Sequence, residues 1–495
     1  MRRLLVLLVT LSMLISQSVW AQNYPVINDG KPVTLKVQFH GLTPTTNTTP
    51  TPENPNVFNS TRILAEQYMK IHPNVKIEWV RQTFPNAVQA IEWWTTQIAG
   101  GTAPDIGFTW GTSYADKGWY MVLNDALETS NPYVKGNKKW KDLFPSYLWS
   151  SGSIVDSKGE IVAIPMTLFA GPPTAYYYNK DIFNRLGLKP VRSWAEFVDM
   201  AKKIKAAGYI AVAPWSGNKA INTDLWDLYF SIGPVYAGRL LPRIDYNKNG
   251  LLDPVETLRA CKEGYFSTKK NEYARELWRL IKQKFTEVYS PGWENTDYAP
   301  LWNEGKVAMK QDGTWAIPGE LSNTKRNFDF GMFPPPVVTK ETSKYVVSIR
   351  FTVKGPYQPD PAVAFNIFEP SIKAHGGEGV KEAAVDFLKF MTTPDNLSQI
   401  ILEFGSQLGA VKGCKIPPQL QDWFNNSFPI LPKAGWPTAF TSEGHEVMSR
   451  LLDAWVRGMM KDDEFFQKFD DAQQKSADDA IKAQNIDTKG WKIVK

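Results

Sequence analysis

The sequence contains few of the residues that build disulfide scaffolds and metal enzymes. Its 495 residues include two cysteines, Cys261 and Cys414, and four histidines, at positions 40, 72, 375 and 445. Two cysteines cannot form a disulfide-dense fold, but they leave open one bridge or two free thiols. No two histidines have the spacing of metal ligands, which argues against a zinc hydrolase.

Clusters of charge and long apolar segments are also scarce. Lys and Arg are scattered and the formal net charge is only +6, which argues against a nucleic-acid partner. The one apolar run, at 4–15, follows Arg2 and Arg3 and precedes a small-residue cleavage pattern ending at Ala21, so residues 1–21 predict a signal peptide. At about 12 residues the run is shorter than the ~20 needed to span a bilayer. We therefore expect a soluble, exported chain.

Tryptophan, by contrast, is abundant. Nineteen are present, many of them beside Gly, Pro, Ser or Thr rather than inside apolar runs. Flat indole faces that stack on sugar rings would explain this placement, and so would a Trp-rich core. The composition leaves both readings open.

Strand and helix patterns alternate along the chain. Segments 33–39, 75–80 and 102–108 have the pattern of strands, and 57–71 and 87–99 that of helices. This order predicts an α/β unit with a mostly parallel sheet. Ligands of such sheets bind beyond the carboxyl ends of the strands, so the residues just after Phe108 are candidates.

The run GEIVAIPMTLFAGPPTAYYYNKDIFNRLGLKPVRSWAEF, at 159–197, is the most informative stretch. It predicts a strand ending at Pro165, an extended segment through Tyr178 and a helix opening at Asn179. A second helix begins after Ser193, with Glu196 at capping-box spacing. Together with LAEQYMKIHPNVKIEWV, QIAGGTAPDIGFTW, WNEGKVAMKQDGTWAIPG and AAVDFLKFMTTPDNLSQIILEFG, this run resembles the family 1 extracellular solute-binding proteins of ABC sugar importers, the group of maltose-binding protein.

The resemblance implies a two-lobed α/β periplasmic-binding-protein fold of type II, with a hinge and an inter-lobe cleft. The implied bounds are 22–165 plus 336–393 for lobe 1 and 166–335 plus 394–495 for lobe 2. Such a protein binds a carbohydrate, here expected to be an oligosaccharide, and delivers it to ABC permease subunits in the membrane without chemistry. It would be a periplasmic or extracellular monomer. The alternatives are a secreted glycoside hydrolase, which needs paired carboxylates, and a sugar-sensing protein that serves a receptor.

Candidate sugar contacts come from aromatic and polar residues that follow strands. By resemblance, Trp110, Phe169, Trp215, Trp315 and Trp436 are expected in the cleft, and Asp116 and Asp312 are expected nearby. Asp116 also fits a helix cap, and Asp312 also fits a turn before Gly313. Arg350, a charge after the apolar KYVVSI, and Gln82, after the second strand, are further candidates. Arg350 fits a salt-bridged edge position equally well.

A long insertion between Tyr229 and Tyr273 contains DYNKNGLLDPVE, at 245–256. This segment resembles an EF-hand calcium loop. Side-chain oxygens at loop positions 1, 3, 5, 9 and 12 and one backbone carbonyl provide the ligands, and Gly250 occupies the sixth position. The predicted ligands of one structural Ca²⁺ are Asp245, Asn247, Asn249, Leu251, Asp253 and Glu256. Pro242 predicts that no regular helix enters the loop.

Overall fold

Each of the two main β-sheets has its own hydrophobic core. The computed structural model describes residues 24–51, 57–84, 87–109, 112, 114–156, 158–214, 225–248, 250, 252–352, 360–424 and 426–494. The predicted signal peptide lies outside these residues. One core surrounds a six-stranded sheet and the other a four-stranded sheet. The expected two-lobed α/β architecture is confirmed.

The first lobe contains the six-stranded sheet in the order β11-β4-β10-β3-β1-β2. Its strands are β1 (Val33–Val37), β2 (Val75–Trp79), β3 (Ile106–Gly107), β4 (Ile164–Leu168), β10 (Pro361–Ile367) and β11 (Leu408–Gly409). Its helices are α1 (Ser60–Ile71), α2 (Ala87–Ala99), α3 (Asn124–Glu128), α12 (Glu369–His375), α13 (Glu378–Met391) and α14 (Pro394–Phe404). Strand β1 pairs in parallel with β2 and β3, as the alternating pattern predicts.

The second lobe contains the four-stranded sheet in the order β6-β7-β5-β8. Its strands are β5 (Thr174–Asn179), β6 (Ile210–Ala213), β7 (Val307–Gly313) and β8 (Phe330–Phe333), and a separate pair joins β9 (Arg350–Phe351) to β12 (Pro429–Ile430). Its helices are α4 (Lys180–Leu186), α5 (Trp194–Ala206), α6 (Asp227–Phe230), α7 (Ile232–Ile244), α8 (Pro254–Lys262), α9 (Glu272–Gln283), α10 (Tyr298–Asn303), α11 (Ile317–Leu321), α15 (Gln421–Phe424), α16 (Ser442–Val456) and α17 (Asp462–Gln484).

The two helix starts predicted at Asn179 and after Ser193 are confirmed. The Asn179 side chain accepts hydrogen bonds from the first two backbone N–H groups after Lys180 and caps α4. Ser193 and Glu196 form the reciprocal capping box of α5. Pro165, however, lies inside β4, which continues to Leu168.

The chain passes between the cores near Phe169, between Phe351 and Pro361, and after Val411. These crossings differ from the expected lobe boundaries. Residues 337, 338 and 346 pack in the second core, whereas 397, 400, 401, 410 and 411 pack in the first. The boundary expected at 393 is displaced because Thr393 caps a further helix, α14, whose apolar face covers the first core.

The two cysteines are free thiols, which decides between the two readings left open by the sequence. Cys261 is buried in the second core and Cys414 packs at the edge of the first. Within the described ranges, no helix has both the length and the apolarity needed to cross a bilayer.

Candidate functional site

Trp315 is the most accessible of the predicted cleft residues that are aromatic and described. It lies just after β7 in the short helical turn Thr314–Ala316, and 40% of its surface is exposed. A Cβ atom at Gly313 would lie 2.0 Å from Trp315 Cε2, so the indole rests on the glycine backbone. The ring can occupy this position only because Gly313 has no side chain.

Trp226 forms a corner with Trp315. The two ring centroids are 5.6 Å apart and the ring planes meet at 79°, an edge-to-face arrangement. Trp226 is half-buried and precedes α6. Sequence reasoning missed this residue because neither a strand end nor a motif marks it; its one signal is membership of the Trp-rich composition.

A charged cluster lies beside Trp315. Lys310 Nζ is 2.6 Å from Glu320 Oε1 and 3.2 Å from Asp312 Oδ2. Trp302 Nε1 donates to the other Glu320 oxygen at 3.1 Å. Burial raises the pKa of Asp312 to about 6, and the nearby Lys310 ammonium opposes this rise. Asp312 is only 6% exposed, so its carboxyl group is bound mainly by protein.

Tyr229, in α6, adds a second exposed aromatic to this lobe. Its side chain is 41% exposed and its hydroxyl oxygen lies 3.5 Å from Thr438 Oγ1. Desolvation nevertheless raises the pKa of Tyr229.

The first lobe presents His40 and Phe108 at the carboxyl ends of β1 and β3. Their ring centroids are 4.7 Å apart. His40 is exposed, and desolvation lowers its pKa. Because β1 and β3 are parallel neighbours, this contact lies at the sheet edge where the sequence places the ligand. Trp110, two residues after Phe108, lies outside the described residues.

The other predicted contacts are scattered. Trp215 and the Asp116 side chain lie outside the described part, although the Asp116 backbone belongs to the turn Ala115–Lys117. Phe169 is half-buried at a crossing between the lobes. Gln82 and Arg350 are exposed, the latter opposite Ile430 in the β9–β12 pair.

The position of Trp436 differs from the one expected from the sequence. We expected it in the cleft, but its side chain is 0% exposed in the second core. Its indole packs edge-on against Phe266 at 4.9 Å and near Tyr273 at 6.2 Å. Both partners belong to the end of the long insertion or lie next to it, so the insertion closes over this tryptophan.

The predicted calcium loop joins α7 to α8. Gly250 has a φ of +81° and donates its N–H to Asp245 Oδ2 at 2.9 Å. Asn247 N–H donates to Glu256 Oε1 at 2.9 Å, and Asp253 and Glu256 form a capping box that starts α8. The loop thus folds back on its first and last carboxylates.

Two features of this loop region qualify the sequence expectations. Helix α7 runs to Ile244 with Pro242 inside it, so the expectation that Pro242 excludes an entering helix is wrong. The proline lies in the last turn, where it removes one hydrogen bond without ending the helix. Asn249 and Leu251 lie outside the described residues, and among the residues described no three His, Cys, Asp or Glu side chains converge as a metal site.

The comparisons with known proteins agree with this architecture. Residues 53–397 match the family described as bacterial extracellular solute-binding protein. The match covers more than half of the chain, so this protein belongs to that family.

Individual relatives are distant. An uncharacterized ABC transporter extracellular-binding protein of Pyrococcus horikoshii is 25% identical over 279 residues, which cover 55% of this chain and 56% of the relative. The chain spans about half the length of the curated relatives it matches.

Two solved structures are similar in fold. A chitin oligosaccharide binding protein has a TM-score of 0.59 and 19% identity, covering 90% of this chain and 99% of the other. The solute-binding protein RafE in complex with raffinose has a TM-score of 0.57 and 17% identity, covering 90% and 100%.

Proposed function

We propose that this protein binds a carbohydrate, an oligosaccharide in particular, between its two lobes and delivers it to an ABC permease. The observation that carries the proposal is the aromatic corner formed by the exposed Trp315 and the half-buried Trp226. The family is one of solute-binding proteins, and similar folds are named for chitin oligosaccharide and raffinose binding. Flat indole faces match the apolar faces of pyranose rings.

Binding follows from hinge closure. The first lobe contributes the His40 and Phe108 edge, and the second contributes Trp226, Tyr229 and Trp315. Bending at the chain crossings would bring these walls together and exclude water from the sugar. The closed form then offers the permease a surface that the open form lacks. The protein itself makes and breaks no covalent bond.

A saccharide screen tests this function. Thermal unfolding is followed with mono- and oligosaccharides, because a ligand that binds only the native state raises the melting temperature. We expect one class of oligosaccharide to raise it in a dose-dependent way, with no new reducing ends after prolonged incubation. New reducing ends would favour a glycoside hydrolase, and no stabilisation by any saccharide would contradict the proposal.

We also propose one structural Ca²⁺ in the loop 245–256. Four of the six expected ligands are described: Asp245, Asn247 and Asp253 lie in the loop between two helices, and Glu256 lies in the first turn of the second helix. Carboxylate and amide oxygens suit Ca²⁺. Leu252 N–H donates to the Lys433 carbonyl at 3.0 Å, which attaches the loop to the second lobe. The ion would staple the insertion without acting as a switch.

Titration of chelator-treated protein tests the calcium site. We expect one Ca²⁺ per chain in wild type and none in an Asp245→Ala variant, which loses a ligand and the Gly250 hydrogen bond. Asp329→Ala, a change at a carboxylate outside the loop, serves as the control and should keep the site. Absence of binding to wild type at millimolar calcium would contradict the proposal.

Export of the chain is a further part of the proposal. The family is extracellular, and residues 1–21 have the pattern of a cleaved signal peptide. The mass of the protein recovered from the periplasm or medium should correspond to cleavage after Ala21. An uncleaved chain in the membrane fraction would contradict it.

A further inference from the structure

A fully buried ion pair connects the segments that carry the two site tryptophans. Lys284 Nζ lies 2.7 Å from Asp227 Oδ2 and 2.6 Å from Gln311 Oε1. Both charged side chains are 0% exposed. Ser231 Oγ donates to the other Asp227 oxygen at 2.7 Å. A buried charge is tolerated only where partners fix it, so this network has a defined geometry.

The members of the network are close in sequence to both indoles. Asp227 directly follows Trp226 and begins α6. Gln311 lies in β7, two residues before Gly313, whose backbone supports the Trp315 ring. The Lys284 ammonium group therefore links Asp227, which is next to Trp226, to Gln311, which lies in the strand that leads to Trp315. Movement of either segment would disturb the same hydrogen bonds.

Lys284 is the first residue of an irregular turn in its helix. Helix α9 ends at Gln283 and continues as a π-helical turn, Lys284–Val288. Such turns are rare and are frequently found at functional sites. Replacing a buried ion pair with apolar side chains is often neutral or stabilising, so stability alone is a weak reason for this one.

We propose that Lys284, Asp227 and Gln311 are positioning residues for the sugar site. They hold Trp226 nearly perpendicular to Trp315, so that a pyranose stacks on one indole and contacts the other at its rim. The inference rests on the proposed function. A corner that is rigid before binding loses less conformational entropy when the sugar arrives, which raises affinity without a direct contact from the network.

The test removes both charges together. The double variant Asp227→Asn/Lys284→Met leaves no unpaired buried charge and removes the ammonium link between α6 and β7. Of the network, only the long contact of 3.4 Å from Gln311 Nε2 to the side-chain oxygen at position 227 remains between them. We expect its dissociation constant for the oligosaccharide to rise at least about tenfold. The near-ultraviolet circular dichroism that Trp226→Phe removes from wild type should also be missing. If the double variant does not fold, Gln311→Met, which keeps the ion pair, should show both effects to a smaller degree.

Asp470→Asn is the matched control. Asp470 is a buried carboxylate of the same lobe that accepts hydrogen bonds from Ser267 and Thr268, remote in sequence from both tryptophans. We expect it to lower the melting temperature and leave the dissociation constant within about twofold.

Wild-type affinity and an unchanged dichroism signal in the double variant, or in Gln311→Met where the double variant does not fold, would overturn the inference. An equal loss of affinity in Asp470→Asn would also overturn it, because the effect would then be one of general stability. If wild type binds no saccharide, the proposed function fails, and the dichroism alone still decides whether the network positions the indoles.

Discussion

Trp315 and Trp436 occur in similar sequence surroundings and have opposite environments. Each follows a glycine closely, in DGTWA and KAGWPTAF, and each was expected in the cleft. Trp315 is 40% exposed beside a charged cluster, whereas Trp436 is 0% exposed among aromatic rings. Local composition therefore identifies loop tryptophans but does not decide which of them meet solvent. The covering segment decides, and for Trp436 it includes Phe266 from the insertion.

Truncation of Trp436 should have the largest effect, and it should be on stability. Trp436→Ala removes a fully buried indole and leaves a cavity, which costs about 3–5 kcal/mol of the free energy of unfolding. Chemical denaturation measures this loss. The variant that remains folded should bind the sugar with nearly wild-type affinity. A large loss of affinity without a loss of stability would indicate that Trp436 contributes to the sugar site.

The charged surroundings of Trp315 predict a pH effect that the apolar surroundings of Trp436 do not. The pKa of Asp312 is raised from 3.8 to about 6, so the folded state binds this proton more tightly than the unfolded state. The resulting stabilisation is complete below about pH 4 and is lost as the pH rises through about 6. It amounts to at most about 3 kcal/mol at 1.36 kcal/mol per unit of pKa.

Denaturation of wild type and Asp312→Asn between pH 4 and 7 isolates this contribution. Wild type should lose more stability than the variant as the pH rises over this range. Parallel curves for the two proteins would show that Asp312 titrates alike in the folded and unfolded states. The charged groups near Trp315 would then contribute no pH dependence to stability.

Truncation of Trp315 should weaken binding and leave stability nearly unchanged. Trp315→Ala removes a stacking surface, for which we take about 1–3 kcal/mol, the range found for aromatic side chains that stack on nucleic-acid bases. The dissociation constant for the oligosaccharide should rise about 10- to 100-fold, measured by calorimetry. Trp491→Ala, at a half-buried tryptophan near the C-terminus, is the control and should not change it. Unchanged affinity in Trp315→Ala would show that the sugar does not bind at the corner formed by Trp315 and Trp226.

Sequence reasoning found the features that neighbouring residues determine. The parallel strands β1 to β3, the Ser193 capping box and the exposed position of Trp315 after β7 all follow from local pattern or family resemblance. Features that depend on distant segments were missed. Trp226 meets Trp315 across 89 positions of sequence, and Lys284 reaches Asp227 across 57. No local pattern encodes such meetings, because tertiary packing alone creates them.

The finest test of the contrast displaces Trp315 without removing it. Gly313 has φ −74° and ψ 152°, which alanine adopts without strain, so Gly313→Ala leaves the backbone unchanged. The added Cβ would lie 2.0 Å from the indole and must push the ring away. We expect a rise in the dissociation constant of a few fold, smaller than that of Trp315→Ala, because the ring is moved rather than lost. Gly319→Ala, whose Cβ meets nothing within 4 Å, is the matched control. Equal affinities for the two alanine variants would show that the contact between the indole and the Gly313 backbone does not affect sugar binding.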